Sequence, residues 1–198
     1  MATYKAIASI GEAIISILQD ACPKTEFDGP EFKLFDATSF VKHPITKGVS
    51  LYLYRVTVNG AARNQPPQLG IDGMYRRPAL PLDLHYLLNV WWTDAVTLQR
   101  LLGWCMRELE DTPILASSVL NSPGPERRMF DDAETVELTL DSLSIQDFTN
   151  ITDAFKANLQ LSVPYLARLV RIESTASVGE AAGLVQTREF GVGRLVRS

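Results

Sequence analysis

Apolar and polar residues alternate along the chain with two different periods, and each period predicts a type of element. Residues 4 to 19 place an apolar side chain at every third or fourth position, which predicts a helix with one buried face. Residues 49 to 58 and residues 80 to 92 alternate at every second position, which predicts two long strands. Helical spacing returns near Asp94 and ends at Pro113.

Shorter patterns complete the list of elements. "EFKLF" and "TVELTL" are strand candidates, residues 144 to 159 have helical spacing, and residues 161 to 174 read as a last strand. Pro164 predicts an edge position or a bulge near the start of that last strand. This order predicts an α/β (α+β) fold, with a mixed β-sheet of four to five strands flanked by about three helices.

The strand at residues 49 to 58 is apolar on both sides, which predicts a central strand that helices cover on both faces. Simple alternation puts Val49, Leu51 and Leu53 on one face, and it puts the following residues on the other: Tyr52, Tyr54, Val56 and Val58. The connection after it, residues 59 to 79, contains three prolines and three glycines. Connections of this length in compact domains tend to be functional or disordered.

Residues 174 to 198 differ in composition from the rest of the chain. They contain four glycines, many small residues and no helical stripe. We therefore predict a single α/β domain at residues 1–173 and an extended C-terminal arm at residues 174–198. Such an arm either adds a strand to a neighbouring chain or is a frayed tail.

Charge and composition exclude several classes of protein. The chain of 198 residues has a net charge of -4, and this mild acidic balance argues against nucleic acid as a partner. Its two cysteines, Cys22 and Cys105, are too few for a disulfide framework and are expected to be buried thiols. The N-terminal stretch has no apolar run long enough for a signal peptide or a membrane span, which predicts a chain made in the cytoplasm.

Motifs for common chemistry are missing from the sequence: it has no phosphate-binding glycine loop, no dinucleotide-binding turn and no nucleophile elbow. Asp83 and His85 lie two apart on a predicted strand and so share a face, where they could act as an acid/base pair or, with Arg55 nearby, hold a metal. A zinc site needs at least three protein ligands. We therefore favour a structural polar network, predict no catalytic residue, cofactor or metal, and keep a small metal-dependent hydrolase using Asp83 and His85 as a weaker alternative.

Arginines occur in small groups on the predicted loops and on the arm, where they suit contacts between copies of one protein. Trp104 lies on the polar side of its predicted helix, so either it borders the core or a partner covers it. The candidate residues for a subunit or partner interface are Arg55, Arg63, Asn64, Arg76, Arg77, Trp104, Arg127, Arg128, Arg188, Phe190 and Arg194.

Four sequence blocks resemble a known family. In order they are "VSLYLYRVTVNGAARN", "PALPLDLHYLLNVWW", "LQRLLGWCMRELEDTPIL" and "LSVPYLARLVRIES". They resemble the N-terminal domain of the tail-terminator or cap proteins of contractile injection systems, of the extracellular, antifeeding-prophage type. The resemblance covers roughly residues 4 to 173.

That resemblance implies a structural protein, with a mixed sheet flanked by helices and no catalytic residue. It implies a homo-hexameric ring that ends the inner tube and the sheath, so the implied partners are other copies of the chain, sheath subunits and inner-tube subunits. The implied location is the cytoplasm during assembly and then the contractile particle. Another tail component, such as a neck or baseplate adaptor, is the alternative.

Overall fold

A computed structural model describes residues 2–42, 45–69, 75–121, 129–155 and 161–174. The strands in chain order are β1 (Glu31–Phe35), β2 (Gly48–Val58), β3 (Gln68–Leu69), β4 (Tyr75–Arg76), β5 (Leu80–Trp91), β6 (Ile114–Ala116), β7 (Thr135–Leu140) and β8 (Ser162–Ile172). Six of them form one sheet in the order β1-β2-β5-β8-β7-β6, while β3 and β4 pair separately. Strand β1 is parallel to β2, and the other pairings are antiparallel.

The helices are α1 (Ala6–Ala21), α2 (Ser39–Lys42), α3 (Ala95–Asp111), α4 (Ser117–Leu120) and α5 (Ile145–Phe155). Helices α1 and α3 contact each other and pack on one face of the sheet, which we call the first face. It carries Leu51, Tyr86 and Leu88, each at most 1% exposed. Burying side chains of this size stabilises the fold by about 1.5–3 kcal/mol each, so this single core holds the sheet and the two helices together.

The sequence patterns at the ends of the two long helices match the observed boundaries closely. Pro23 follows the end of α1, and the Asp94 carboxylate accepts a hydrogen bond from the Thr97 N–H (2.8 Å), which caps the start of α3. Gly11 allows α1 to approach β1, because a Cβ there would lie 3.0 Å from a Leu34 methyl group. Both cysteines are buried free thiols, as the sequence predicts.

The predicted fold class is confirmed, although the sheet is larger than expected. It has six strands, because the three-residue strand β6 joins it beside β7. Strand β6, the β3–β4 pair and the one-turn helices α2 and α4 are too short to show a period in the sequence. Of the predicted arm, only Ser174 lies within the described residues.

A bulge in β2 overturns part of the predicted strand pattern. The pairing with β5 shifts between Leu53 and Arg55, so Tyr54 is an extra residue. Facing residues of an antiparallel pair lie on the same side of the sheet. Val56 faces Leu84 and Val58 faces Leu82, which puts both valines on the first face and not on the side of Tyr52.

The other side of the sheet, the second face, is covered only in part. Phe40 of α2 packs edge-on against Phe35 and Tyr52, with ring centroids 5.1 and 5.5 Å apart. Past Tyr54 the strand is poorly covered on both sides: Arg55 is exposed on the second face, and Val56 and Val58 are exposed on the first face. The prediction that helices cover both faces of β2 is therefore wrong for its C-terminal half.

Strand β8 is internal to the sheet, yet Pro164 still occupies a local edge. The Pro164 carbonyl accepts from the Asp141 N–H just beyond the end of β7, whose last pair with β8 is Leu140 with Tyr165. In a β-strand, the backbone N and O atoms of one residue point toward the same neighbouring strand. The Pro164 nitrogen, which has no hydrogen to donate, therefore points toward the side of β7, at a position where β7 has already ended. The bulge in β8 lies further along, at Arg168 and Leu169, which together face Asp83.

Candidate assembly surface and polar network

Four of the predicted interface residues lie in the connection between β2 and β5. Arg63 and Asn64 are in a turn just after β2, Arg76 is in β4, and Arg77 follows it. All four are exposed. These four candidates therefore lie in one segment that leaves the sheet and returns to it, which we call the β2–β5 connection.

Asn59 fixes the start of this connection to the sheet. Its side-chain amide donates to both carboxylate oxygens of Asp83, at 3.2 and 3.0 Å, and its side-chain oxygen accepts from the Ala62 N–H at 3.1 Å. Its backbone N–H donates to the Pro81 carbonyl at 2.9 Å. These bonds give the turn that carries Arg63 a defined orientation relative to β5.

Asp83 joins this turn to a third strand. One of its oxygens also accepts the backbone N–H of Leu169 at 3.0 Å. Leu169 has a φ of 57°, a left-handed conformation that is uncommon for a residue with a branched side chain. The carboxylate therefore stabilises the β8 bulge and the Asn59 turn at the same time.

His85 is the centre of a separate polar network on the second face. Its Nδ1 lies 2.7 Å from the Asp141 carboxylate, and its Nε2 lies 3.0 Å from the Thr57 hydroxyl and 3.5 Å from the Arg55 guanidinium. The histidine is 6% exposed. The Tyr54 hydroxyl donates to Asp141 at 3.4 Å, and burial together with that carboxylate raises the pKa of Tyr54 to about 12, so the hydroxyl keeps its proton.

The geometry contradicts the predicted acid/base pair of Asp83 and His85. The two residues share a face, but the Asp83 carboxylate binds Asn59 and Leu169 while the imidazole pairs with Asp141. Both imidazole nitrogens have protein partners in this arrangement, Asp141 at Nδ1 and Thr57 at Nε2. Within the described ranges, no three His, Cys, Asp or Glu side chains are close enough to hold a metal ion.

The remaining candidate interface residues differ in their exposure and in whether the structure describes them. Arg55 is exposed beside the His85 network. Trp104 is half-buried, with its ring centroid 6.1 Å from that of Phe27, so the core itself contributes cover that the sequence pattern did not show. The other five lie outside the described residues: Arg127, Arg128, Arg188, Phe190 and Arg194.

Sequence reasoning missed Asp141, Thr57 and Tyr54 as partners of His85. Asp141 lies 56 positions away in the chain and follows a strand that does not pair with β5. Only the order β5-β8-β7 brings the two side chains together, and no local pattern carries that order. The odd placement of a histidine in an apolar strand was the one available signal.

The chain has the fold of the terminator proteins of contractile injection systems. It superimposes along its full length on 67% of the sheath/tube terminator of an extracellular contractile injection system, the PVC particle, in its extended state, with a TM-score of 0.61 and 12% identity. It also matches the tube-terminating cap of the anti-feeding prophage, with a TM-score of 0.55 and 13% identity over 90% of this chain and 60% of that one. No curated protein matches the chain in sequence.

Residues 9–186 match the Pvc16 N-terminal domain, and the chain therefore belongs to that family. This confirms the family that the four sequence blocks indicated. The chain spans about two thirds of the PVC terminator and 60% of the anti-feeding prophage cap, so the similarity concerns the fold of a part of those proteins.

Proposed function

We propose that this chain is a structural tail-terminator, or cap, subunit of a phage-tail-like contractile injection system. The observation that carries the proposal is the match of residues 9–186 to the Pvc16 N-terminal domain. The fold supports it, because both similar structures are terminators or caps. In this role the protein ends the growth of the inner tube and of the sheath.

A homo-hexameric ring is the assembly that we propose for the cap. Each subunit would use two different faces, and closure of the ring satisfies all of them together. The β2–β5 connection is suited to one of these faces, because it presents Arg63 and Asn64 as exposed donors on a turn that Asn59 and Asp83 hold in place. Arginine forms directional contacts, which fix the orientation of a neighbour without requiring a large apolar patch.

The partners in this proposal are other copies of the chain, sheath subunits and inner-tube subunits. Stacking a ring on a tube of the same symmetry repeats each contact, so weak individual contacts give stable capping. We propose assembly in the cytoplasm and then residence in the particle. No helix within the described parts of the chain is long and apolar enough to cross a membrane.

A role without catalysis fits the polar groups of the sheet. Asp83 and His85, the candidates for chemistry, are both engaged in bonds that hold strands and turns together. We infer that the protein acts through its shape and its contacts. A neck or baseplate adaptor would use the same kind of contacts, and it differs only in its position on the particle.

Arg63→Ala tests the ring. We expect wild-type protein to form a species of six times 22.0 kDa in mass photometry, and we expect Arg63→Ala to shift it to smaller species at unchanged melting temperature. The control is Arg107→Ala, because Arg107 is exposed on α3 and pairs with Asp111 on its own helix. Undiminished hexamers of Arg63→Ala would refute the role of this turn.

Locating the chain on assembled particles tests the terminator role itself. An epitope tag on the chain, imaged by gold labelling on extended particles, should appear at the end of the tube and sheath that lies opposite the baseplate. Label at the baseplate would instead establish the adaptor alternative. Label along the whole length of the sheath would refute both roles.

A further inference from the structure

An apolar groove of about 600 Å³ lies between the N-terminal half of α1 and the first face of the sheet. Tyr4, Ile7 and Gly11 form its helix side, and Leu34 and Leu53 belong to its sheet side. Tyr4 is 73% exposed and Leu34 is 41% exposed, although both line the groove. Helix α1 thus leaves part of the first face uncovered.

The uncovered surface continues beyond the groove along the ends of two strands. The bulge at Tyr54 turns Val56 and Val58 onto the first face, where they are 44% and 41% exposed. Leu80, at the start of β5, is 48% exposed. Contiguous apolar patches on soluble proteins usually mark a surface that another segment or partner covers.

The described part of the chain ends beside this surface. Ile172 pairs with Leu80, and the Glu173 N–H donates to the Ala2 carbonyl at 2.9 Å, directly before α1. The described part of the chain therefore ends close to Ala2, two residues before the groove-lining Tyr4. Because an extended chain spans about 3.3 Å per residue, ten residues reach roughly 33 Å, which exceeds the roughly 15 Å length of the groove-lining half of α1.

Residues 184–190, "LVQTREF", have the composition that such a groove requires. They combine Leu184, Val185 and Phe190 with the charged pair Arg188 and Glu189. Two charged residues, Lys5 directly before α1 and Glu12 within it, also line the groove and have the complementary signs. The family match extends to residue 186, so the family domain itself includes the beginning of this stretch.

We propose that residues 184–190 dock into the α1 groove of their own chain and complete the first face. The chain's own segment is favoured over that of a neighbour, because its attachment at Ser174 gives it a high effective concentration at the groove. This proposal is an alternative to the predicted arm that adds a strand to another subunit. It does not depend on the terminator role, since docking takes place within one subunit.

Cysteine crosslinking tests the docking on the full chain. We would combine Leu34→Cys in the groove with Val185→Cys in the segment and treat the protein with a short bismaleimide. The matched control combines Val185→Cys with Ile114→Cys, because Ile114 is 60% exposed on β6 at the opposite edge of the sheet. The native Cys22 and Cys105 are buried, and burial raises the pKa of both thiols, so they react slowly.

We expect the groove pair to give a single-chain product of altered mobility, at least fivefold more abundant than in the control pair. A yield equal to that of the control would overturn the proposal. Products that join two chains would overturn it as well, because they would place the segment on a neighbour. Ring formation, measured on the same uncrosslinked variants by mass photometry, reports separately on the terminator role.

Discussion

Replacing Asp83 with alanine should destabilise the subunit, although it removes no apolar contact. The carboxylate accepts three hydrogen bonds, two from the Asn59 amide at 3.2 and 3.0 Å and one from the Leu169 N–H at 3.0 Å. A hydrogen bond to a charged group contributes about 1.5–3 kcal/mol net. The two bonds from the Asn59 amide contribute about as much as one bond, and water partly replaces the lost bonds in the variant. We therefore expect the free energy of unfolding to fall by about 3 kcal/mol.

Urea unfolding followed by circular dichroism measures this loss, at one protein concentration for all variants so that assembly contributes equally. For a chain of this size, about 3 kcal/mol corresponds to a fall in melting temperature of roughly 6–12 °C. Asp83→Asn keeps an oxygen for the Leu169 N–H and should lose only about 1 kcal/mol. A cycle of Asp83→Ala with Asn59→Ala should show a coupling energy of about 1 kcal/mol.

The outcome tests whether the Asp83 carboxylate has the structural role that its hydrogen bonds indicate. If Asp83→Ala lies within about 0.5 kcal/mol of the wild type, the carboxylate is not holding the turn and the bulge together, and the reasoning fails. Loss of hexamers in the same variant, measured after confirming that it is folded, would show that the turn also needs its fixed orientation for assembly.

Three further changes test other parts of the fold. Gly48→Ala should lower the free energy of unfolding by about 2–3 kcal/mol or prevent folding, because Gly48 has a φ of 137° and a Cβ would lie 1.9 Å from a β1 carbonyl oxygen. Gly60→Ala is the control and should leave the melting temperature nearly unchanged, because nothing lies within 4 Å of a Cβ at that position. His85→Ala should cost about 3 kcal/mol in urea unfolding, because it leaves the Asp141 carboxylate without its buried partner, and an unchanged midpoint would contradict the network. The hydrogen bond from the Thr97 N–H in the first turn of α3 lowers the pKa of Asp94 from its usual value, so the stabilising effect of the carboxylate is present at neutral pH and declines as the pH falls through the lowered pKa. Asp94→Ala should therefore lower the melting temperature at neutral pH, and the difference from the wild type should shrink as the pH falls through the acidic range. A difference that stays constant with pH would contradict a charged cap.

Long periodic segments could be located from the sequence because many residues agree on one period. Five or more apolar positions define each of α1 and β5, and the observed ends fall within two residues of the predicted ones. Strand β7 was placed without error from six alternating residues. The structure of such segments can be predicted from their own residues alone, because the side chains that form the core are the ones that create the pattern.

Features that depend on strand pairing could not be found in this way. Nothing in "LYRV" shows that Tyr54 is an extra residue, since a bulge is defined by the partner strand. The pairing of His85 with Asp141 requires the order of three strands. The packing of Trp104 on Phe27 joins α3 to the connection after α1, which a helical wheel of α3 alone does not contain.

The link from Leu169 through Asp83 to Asn59 gives β8 control over the direction in which the Arg63 turn points. Changes to the β8 backbone would tilt that turn relative to the sheet while every side chain on its outer surface stayed the same. In the ring that we propose, related chains would therefore adjust the angle at which neighbours meet, and with it the diameter of a closed circle, by substitutions in the interior.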